Sequence, residues 1–225
     1  MDFNSILQQV AVMALPVLTA ITLHEVAHGW AARRCGDRTA EAQGRLSLNP
    51  LRHVDPMGTV LVPGVLLLLG APFLFGWAKP VPVNPNRFRH YRQDWVKVAA
   101  AGPASNLVMA LLWGLLLVAV VRLFGAGLDA QPYGRWLAAM SQFGLQFNVV
   151  LAVFNLLPIP PLDGGRVLTN LLPPRSALVK VLEAITPYGL FIVMGLVATR
   201  LLGVLISPPI DWVLDGFNAV LSWLI

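Results

Sequence analysis

The sequence predicts an all-α polytopic membrane protein: a three-helix core with a re-entrant or hairpin segment and short interfacial strands, plus one or two C-terminal helices. Three observations lead there. Hydrophobic residues make up 56% of the chain and charged residues 12%, with a mean hydropathy of +0.68, a balance no ordinary soluble domain needs. Uncharged runs at 3–23, 98–121 and 136–162 reach the roughly 20 residues a helix needs to cross the hydrocarbon core. The basic residues gather beside those runs, so the net charge of +5 suits orientation and anionic headgroups, not a nucleic-acid partner. Cys35 is the only cysteine, which excludes an intramolecular disulfide. With no internal repeat, the expected unit is one membrane-embedded domain over 1–225, its core at about 3–172 and its C-terminal helices at about 176–225.

The first run lacks a basic start and begins with Asp2, unlike a cleavable signal peptide. It is expected to remain as the first helix, reaching to about residue 30. Two short strands are expected after it. Gly44-Arg45-Leu46-Ser47-Leu48-Asn49 alternates polar and apolar residues, and Lys79-Pro80-Val81-Pro82-Val83 has edge-strand character. Between them, 56–78 is long enough to cross but is punctuated by Pro63, Gly64, Gly70, Pro72 and Gly76. Arg33, Arg34, Arg38, Arg45 and Arg52 precede it, and Lys79, Arg87, Arg89, Arg92 and Lys97 follow it. If the run crosses, these residues divide across the bilayer. If it returns, all stay on one face, as the positive-inside rule prefers. Runs 98–121 and 136–157 then form helices, the second broken at Pro158, Pro160 and Pro161, because proline removes donors and clashes with the preceding turn. Residues 184–199 are expected to cross. Residues 201–225, with Pro208, Pro209, Asp211 and Asp215, read as either a crossing or an interfacial helix.

The chemistry begins with His24-Glu25-Val26-Ala27-His28. Histidines four apart share one helix face, so both rings can reach one ion. Glu25 lies beside them, within reach of a water held there. Zinc brings the pKa of such a water to about 7, and a neighbouring Glu can take its proton as general base. The bland alternative is a buried His pair with a solvated Glu. Ionisable groups at membrane depth are costly enough to favour a function instead.

A further carboxylate comes from Asp163. The proline break and the glycines 164 and 165, which let the chain turn tightly, predict an unwound segment at membrane depth that presents it. Take the N-terminus outside. The first helix then delivers the His pair near the cytosolic interface, and if 56–78 returns, Asp163 arrives on that same side. If 56–78 crosses, Asp163 lies most of a bilayer away, since about 20 helical residues rise about 30 Å. A shared ion requires the return. Two His and one carboxylate leave a fourth position open, the pattern of a catalytic zinc.

These motifs resemble the site-2 protease family of intramembrane zinc metalloproteases. His24-Glu25-x-x-His28 is matched with Asn155-x-x-Pro158-x-Pro160-x-Leu162-Asp163-Gly164. Ala101-Gly102-Pro103-Ala104-Ser105-Asn106-Leu107 is similar to the family's Gly-Pro-x-x-Asn, and Gly76-Trp77-Ala78-Lys79-Pro80-Val81-Pro82-Val83-Asn84 is common in its compact prokaryotic members. The resemblance covers roughly 15–170. It implies one zinc per chain held by His24, His28 and Asp163, with Glu25 as the catalytic acid/base. It also implies Asn155 at the substrate carbonyl or oxyanion, and Asn106 supporting the site or the substrate strand. The partners it implies are a transmembrane protein substrate and the lipid bilayer, at the cell membrane. Many members insert a PDZ domain where this chain has a connection at about 122–135, far too short for one.

The implied reaction is attack of a Glu25-activated, zinc-held water on a scissile carbonyl in or next to a substrate's transmembrane segment. A helix hides its carbonyls, so the substrate must unwind. One of the two expected strands, through Leu46 and Leu48 in the first, would then accept it by strand addition. Two other classes can be set against the same residues. A transporter would show paired repeat halves with matched broken segments, which this chain lacks. A non-proteolytic zinc scaffold would have no use for Glu25. His53 and Asp55 read as loop-ordering or capping residues and Cys35 as a structural thiol; all three are the alternative ligands should Asp163 not serve.

Overall fold

The computed structural model describes residues 3–68 and 76–224. Helix α1 (Phe3–Arg34) runs well past the first uncharged stretch and ends on Arg33 and Arg34, which complement its negative pole. Short helices α2 (Thr39–Ala42) and α3 (Val62–Leu68) lie in the long connection to α4 (Tyr91–Phe124). A 3-10 stretch over Gly125–Ala130 joins α4 to α5 (Pro132–Asn155). Helices α6 (Asp163–Leu171), α7 (Ala177–Ile185), α8 (Gly189–Ala198) and α9 (Leu201–Ser222) complete the chain. Among the described residues, five stretches are long and apolar enough to cross a membrane: Leu7–Arg34, Tyr91–Phe124, Pro132–Asn155, Ala177–Ala198 and Leu201–Ser222. The chain is an all-helical, multi-pass membrane protein, and the last stretch is a continuous helix despite Pro208 and Pro209.

Helices α1, α4 and α5 pack on one another, and α9 covers α4 and α5. Lipid gives apolar helices little reason to associate except close packing, so small residues favour their crossings. A Cβ on Gly144 of α5 would lie 2.5 Å from the Trp113 ring of α4. Around that crossing Trp113, Met140, Leu145 and Leu221 form a buried cluster.

The described ends of the 56–78 segment are hydrogen-bonded to each other. Asp55 caps its first turn, accepting from the Met57 and Gly58 amides at 2.9 and 2.8 Å. The Trp77 amide then donates to the Gly58 carbonyl at 3.1 Å, and the Thr59 hydroxyl donates to the Trp77 carbonyl at 2.9 Å. The expected glycine and proline at 70 and 72 lie outside the described residues.

The expected short strands are absent among the described residues, which is a correction to the strand reading of 44–49 and 79–83. Both stretches are irregular because their polar groups go elsewhere. Pro80 and Pro82 have no N–H, and the amide between them, on Val81, donates to the Glu25 carboxylate at 2.7 Å. The Lys79 amide donates to the His53 carbonyl at 2.9 Å, and the Arg45 amide donates back to the Ala40 carbonyl at 2.8 Å. Side chains, not a ladder, join the two stretches: the Arg45 guanidinium donates to the Lys79 carbonyl at 2.9 Å.

Asp37 knots this connection together. Wholly buried, it accepts from the Thr39 amide at 2.9 Å, the Thr39 hydroxyl, and the Asn84 amide at 2.6 Å. Burial pushes its carboxyl up, but these hydrogen bonds outweigh burial and hold it below the ordinary carboxylate range. A depressed carboxyl contributes stability that is complete above its unfolded value of 3.8 and is lost as pH falls through the lower folded value. Asp37→Asn is therefore expected to flatten the acid limb of stability. Asp37→Ala is expected to cost about 1–3 kcal/mol. Thermal unfolding in detergent at stepped acid pH reads both; an acid limb unchanged in Asp37→Asn would contradict the assignment.

After α5, the turn through Pro158, Pro160 and Pro161 leads straight into α6, so Asp163 stands at the first position of a helix rather than in an unwound segment. Gly164 and Gly165 serve closeness, not the tight turn expected of them. Neither has positive φ, but a Cβ on Gly164 would lie 2.5 Å from the Leu157 carbonyl oxygen, and one on Gly165 would lie 2.6 Å from the Pro160 nitrogen. The far end of α6 is held by Arg92 of α4. Its guanidinium donates to the Thr169 and Asn170 carbonyls at 3.1 Å and also to that of Leu172, groups that a helix end leaves unpaired.

Candidate active site

Three helices meet at one point. The Nε2 atoms of His24 and His28 are 3.1 Å apart, and each lies 3.3 Å from Asp163 Oδ2. Four bonds of about 2.0–2.2 Å arranged tetrahedrally put ligand atoms about 3.3–3.6 Å apart. The observed triangle has nearly that edge. Among the described residues, this is the one group of His, Cys, Asp or Glu able to hold a metal ion.

The outer nitrogens show how the rings are set. His24 Nδ1 lies 2.6 Å from Asn106 Oδ1, and His28 Nδ1 lies 2.7 Å from the Val98 carbonyl oxygen. Both partners accept only, given that the Asn106 amide nitrogen is occupied by Asn148 Oδ1 at 2.9 Å and the Ala20 carbonyl at 3.3 Å. Each Nδ1 therefore carries the proton, and each Nε2 presents a lone pair to the common point. The 3.1 Å approach of the two Nε2 atoms is thus a convergence of ligands rather than a hydrogen bond. Asp163 Oδ2 is buried with no hydrogen-bond partner, an orphaned oxygen that a cation would satisfy.

Gly102 makes the approach possible. A Cβ there would sit 2.6 Å from Cε1 of both His24 and His28. Helix α4 can cradle the ring pair only with hydrogen at that position.

Asn106 and Asn148 are fully buried and continue the chain from His24 to the Gly144 carbonyl, which accepts from the Asn148 amide at 2.8 Å. Sequence reasoning assigned Asn106 a supporting place but missed Asn148. The available signal was a carboxamide inside an otherwise apolar run, seven residues before Asn155 and so on the same helix face. Asn106→Leu is expected to weaken metal binding about 10–100-fold, as measured by chelator competition. Unchanged affinity would mean the bond to His24 does not orient the ring.

Glu25 and Asn155 line one cleft of about 620 Å³ together with His24. Its walls are apolar: Val17 and Ile21 of α1, Phe147, Leu151 and Phe154 of α5, and Val193 of α8. The Asn155 amide donates to the Leu151 carbonyl at 2.9 Å. Leu46 is not part of this lining and packs where Gly29 and Val81 meet. Leu48 is 67% exposed and, like Leu46, is not part of the lining. Asp55 caps the 56–61 turn, and Cys35 is buried, its thiol pushed up by burial and then by the Asp94 charge.

Comparison with known proteins gives the family. The family described as Peptidase family M50 matches residues 126–196. "Putative zinc metalloprotease YwhC" of Bacillus subtilis (strain 168) is 38% identical over 219 residues, covering 92% of this chain and 91% of that one. "Putative zinc metalloprotease Rip2" of Mycolicibacterium smegmatis is 32% identical over 214 residues, covering 92% of this chain and 74% of that one. "Regulator of sigma-E protease RseP" of Salmonella typhimurium is 30% identical over 123 residues, 52% of this chain and 27% of that one. No solved structure matches. Similarity along nearly the whole of the Bacillus chain places the protein in peptidase family M50, the site-2 protease family, as a zinc metallopeptidase.

Proposed function

We propose that the protein hydrolyses peptide bonds within or next to transmembrane segments of other membrane proteins, with one zinc ion held by His24, His28 and Asp163. The observation that carries this reading is the triangle of ligand atoms at 3.1–3.3 Å beside Glu25, at the wall of an apolar cleft. Zinc at that triangle would supply Lewis acidity, bringing water's pKa near about 7 and polarising a carbonyl. Glu25 takes the proton of the attacking water on its carboxylate and passes it to the departing amide nitrogen. Val81 holds that carboxylate through its amide. The Asn155 bond to Leu151 engages one of two N–H donors, and the second is suited to steady the oxyanion as it forms.

The apolar walls suit a segment that has left lipid. Stretch 44–49 leads directly into Pro50 and His53 in the cleft wall, which supports an unwound substrate lying beside it, along Leu46 and Leu48. Leu46→Pro or Leu48→Pro is expected to stop cleavage with zinc retained; unchanged cleavage would remove strand addition there. The basic residues Arg33, Arg34 and Arg38 follow the His pair on α1 and its end, which supports an active site near the cytosolic face and an outside N-terminus.

The direct test uses purified protein and synthetic single-span peptides in detergent micelles. Cuts inside or beside the apolar stretch are expected, stopped by chelation and restored by zinc. Zinc-loaded protein that cuts no peptide with a helix-breaking mid-span would overturn the reading.

A further inference from the structure

Resting on that reading of the cleft, we propose that His53 is a substrate-binding residue whose Nδ1 accepts a hydrogen bond from a backbone N–H of the unwound substrate. His53 is 2% exposed although it stands in a loop. Its backbone is tied at both ends: its N–H donates to the Pro50 carbonyl at 2.8 Å, and its carbonyl accepts from the Lys79 amide at 2.9 Å. Ring Nε2 lies 2.8 Å from the Ser47 carbonyl oxygen. A carbonyl only accepts, so Nε2 carries the proton, and in the uncharged ring Nδ1 is then an acceptor. That Nδ1 is buried without a partner, in a residue that forms the cleft wall together with Glu25, Trp77 and Asn155.

Several neighbouring polar groups of this wall already have partners. The Thr59 hydroxyl donates to the Trp77 carbonyl and accepts from the Asp55 amide. One Glu25 oxygen accepts from Val81. His24 serves the ligand triangle. An unwound substrate brings the complementary need, because its N–H groups have lost their helical acceptors and the surrounding wall is apolar. Asn155 offers a donor for a substrate carbonyl, and His53 offers an acceptor for an N–H. Together they address both polar edges of an extended chain.

The test reads binding without cleavage, in the zinc-loaded Glu25→Gln background. The probes are synthetic single-span peptides with a Pro-Gly break at mid-span, each with one backbone amide replaced by an ester, which removes a single N–H. At one position the ester is expected to weaken binding about tenfold. His53→Gln keeps an amide nitrogen for Ser47 but has no atom at the Nδ1 position. It is expected to bind the all-amide peptide about tenfold more weakly and to lose nothing further at that ester position, with zinc content and Tm unchanged. His53→Asn, with a carboxamide oxygen near the Nδ1 position, is expected to recover part of the ester sensitivity. Equal ester losses with and without His53 at every position would overturn the proposal, as would a loss that follows a peptide Ser or Thr hydroxyl instead of an amide. Failure of zinc-loaded protein with Glu25 intact to cut any peptide would overturn the proteolytic reading alone, since the binding cycle would still decide His53.

Discussion

Gly102→Ala is expected to lower zinc affinity by at least about 100-fold, the upper end of what losing a neighbour of the ligand shell costs, although it alters no ligand. The added methyl would enter space occupied by both imidazoles, 2.6 Å from Cε1 of each. Neither ring can retreat freely. His24 is bonded to Asn106 and His28 to the Val98 carbonyl, both on the same helix as Gly102. Relief must move α4 away from α1 or turn a ring off its bond, and either change opens the triangle. Dialysis against a chelator of known affinity, followed by metal analysis, measures this. Wild-type affinity in Gly102→Ala would mean that the helices part without disturbing the ligands.

Glu25→Gln is expected to reduce cleavage by about 10²–10⁴-fold, the range supplied by general acid–base catalysis, while zinc content and fold remain. The second half of that expectation is structural. A glutamine at 25 still offers a carbonyl oxygen to the Val81 amide, so the 79–83 stretch keeps its attachment to α1. What is lost is the site that receives and returns a proton. Cleavage rates normalised to bound zinc measure the effect; a variant that cuts at the wild-type rate would assign the proton transfer to another group.

The sequence made some of this legible for definable reasons. Histidines at 24 and 28 are local partners, and helical periodicity alone puts them on one face. The charges around 56–78 favour its return, and in the structure its described ends meet at the Gly58–Trp77 hydrogen bond. The Val81 amide on Glu25 and the Arg92 cap on α6 were not legible. Each is a pairing across a long sequence separation between groups with no periodic signature, so only the packed helices reveal it. The alternation at 44–49 imitated a strand because side-chain pattern says nothing about where backbone donors go. Gly164 and Gly165 were read as conformational freedom when the need was space. That distinction depends on the Pro160 turn folding back over α6.

Zinc content of the purified, detergent-solubilised protein tests the central claim most directly, with wild type compared against Asp163→Ala and Glu25→Gln. The account predicts about one zinc per chain in wild type, the same in Glu25→Gln, and loss or strong weakening in Asp163→Ala. Full retention of zinc in Asp163→Ala would contradict it, because the ion would then not be held where His24, His28 and Asp163 converge.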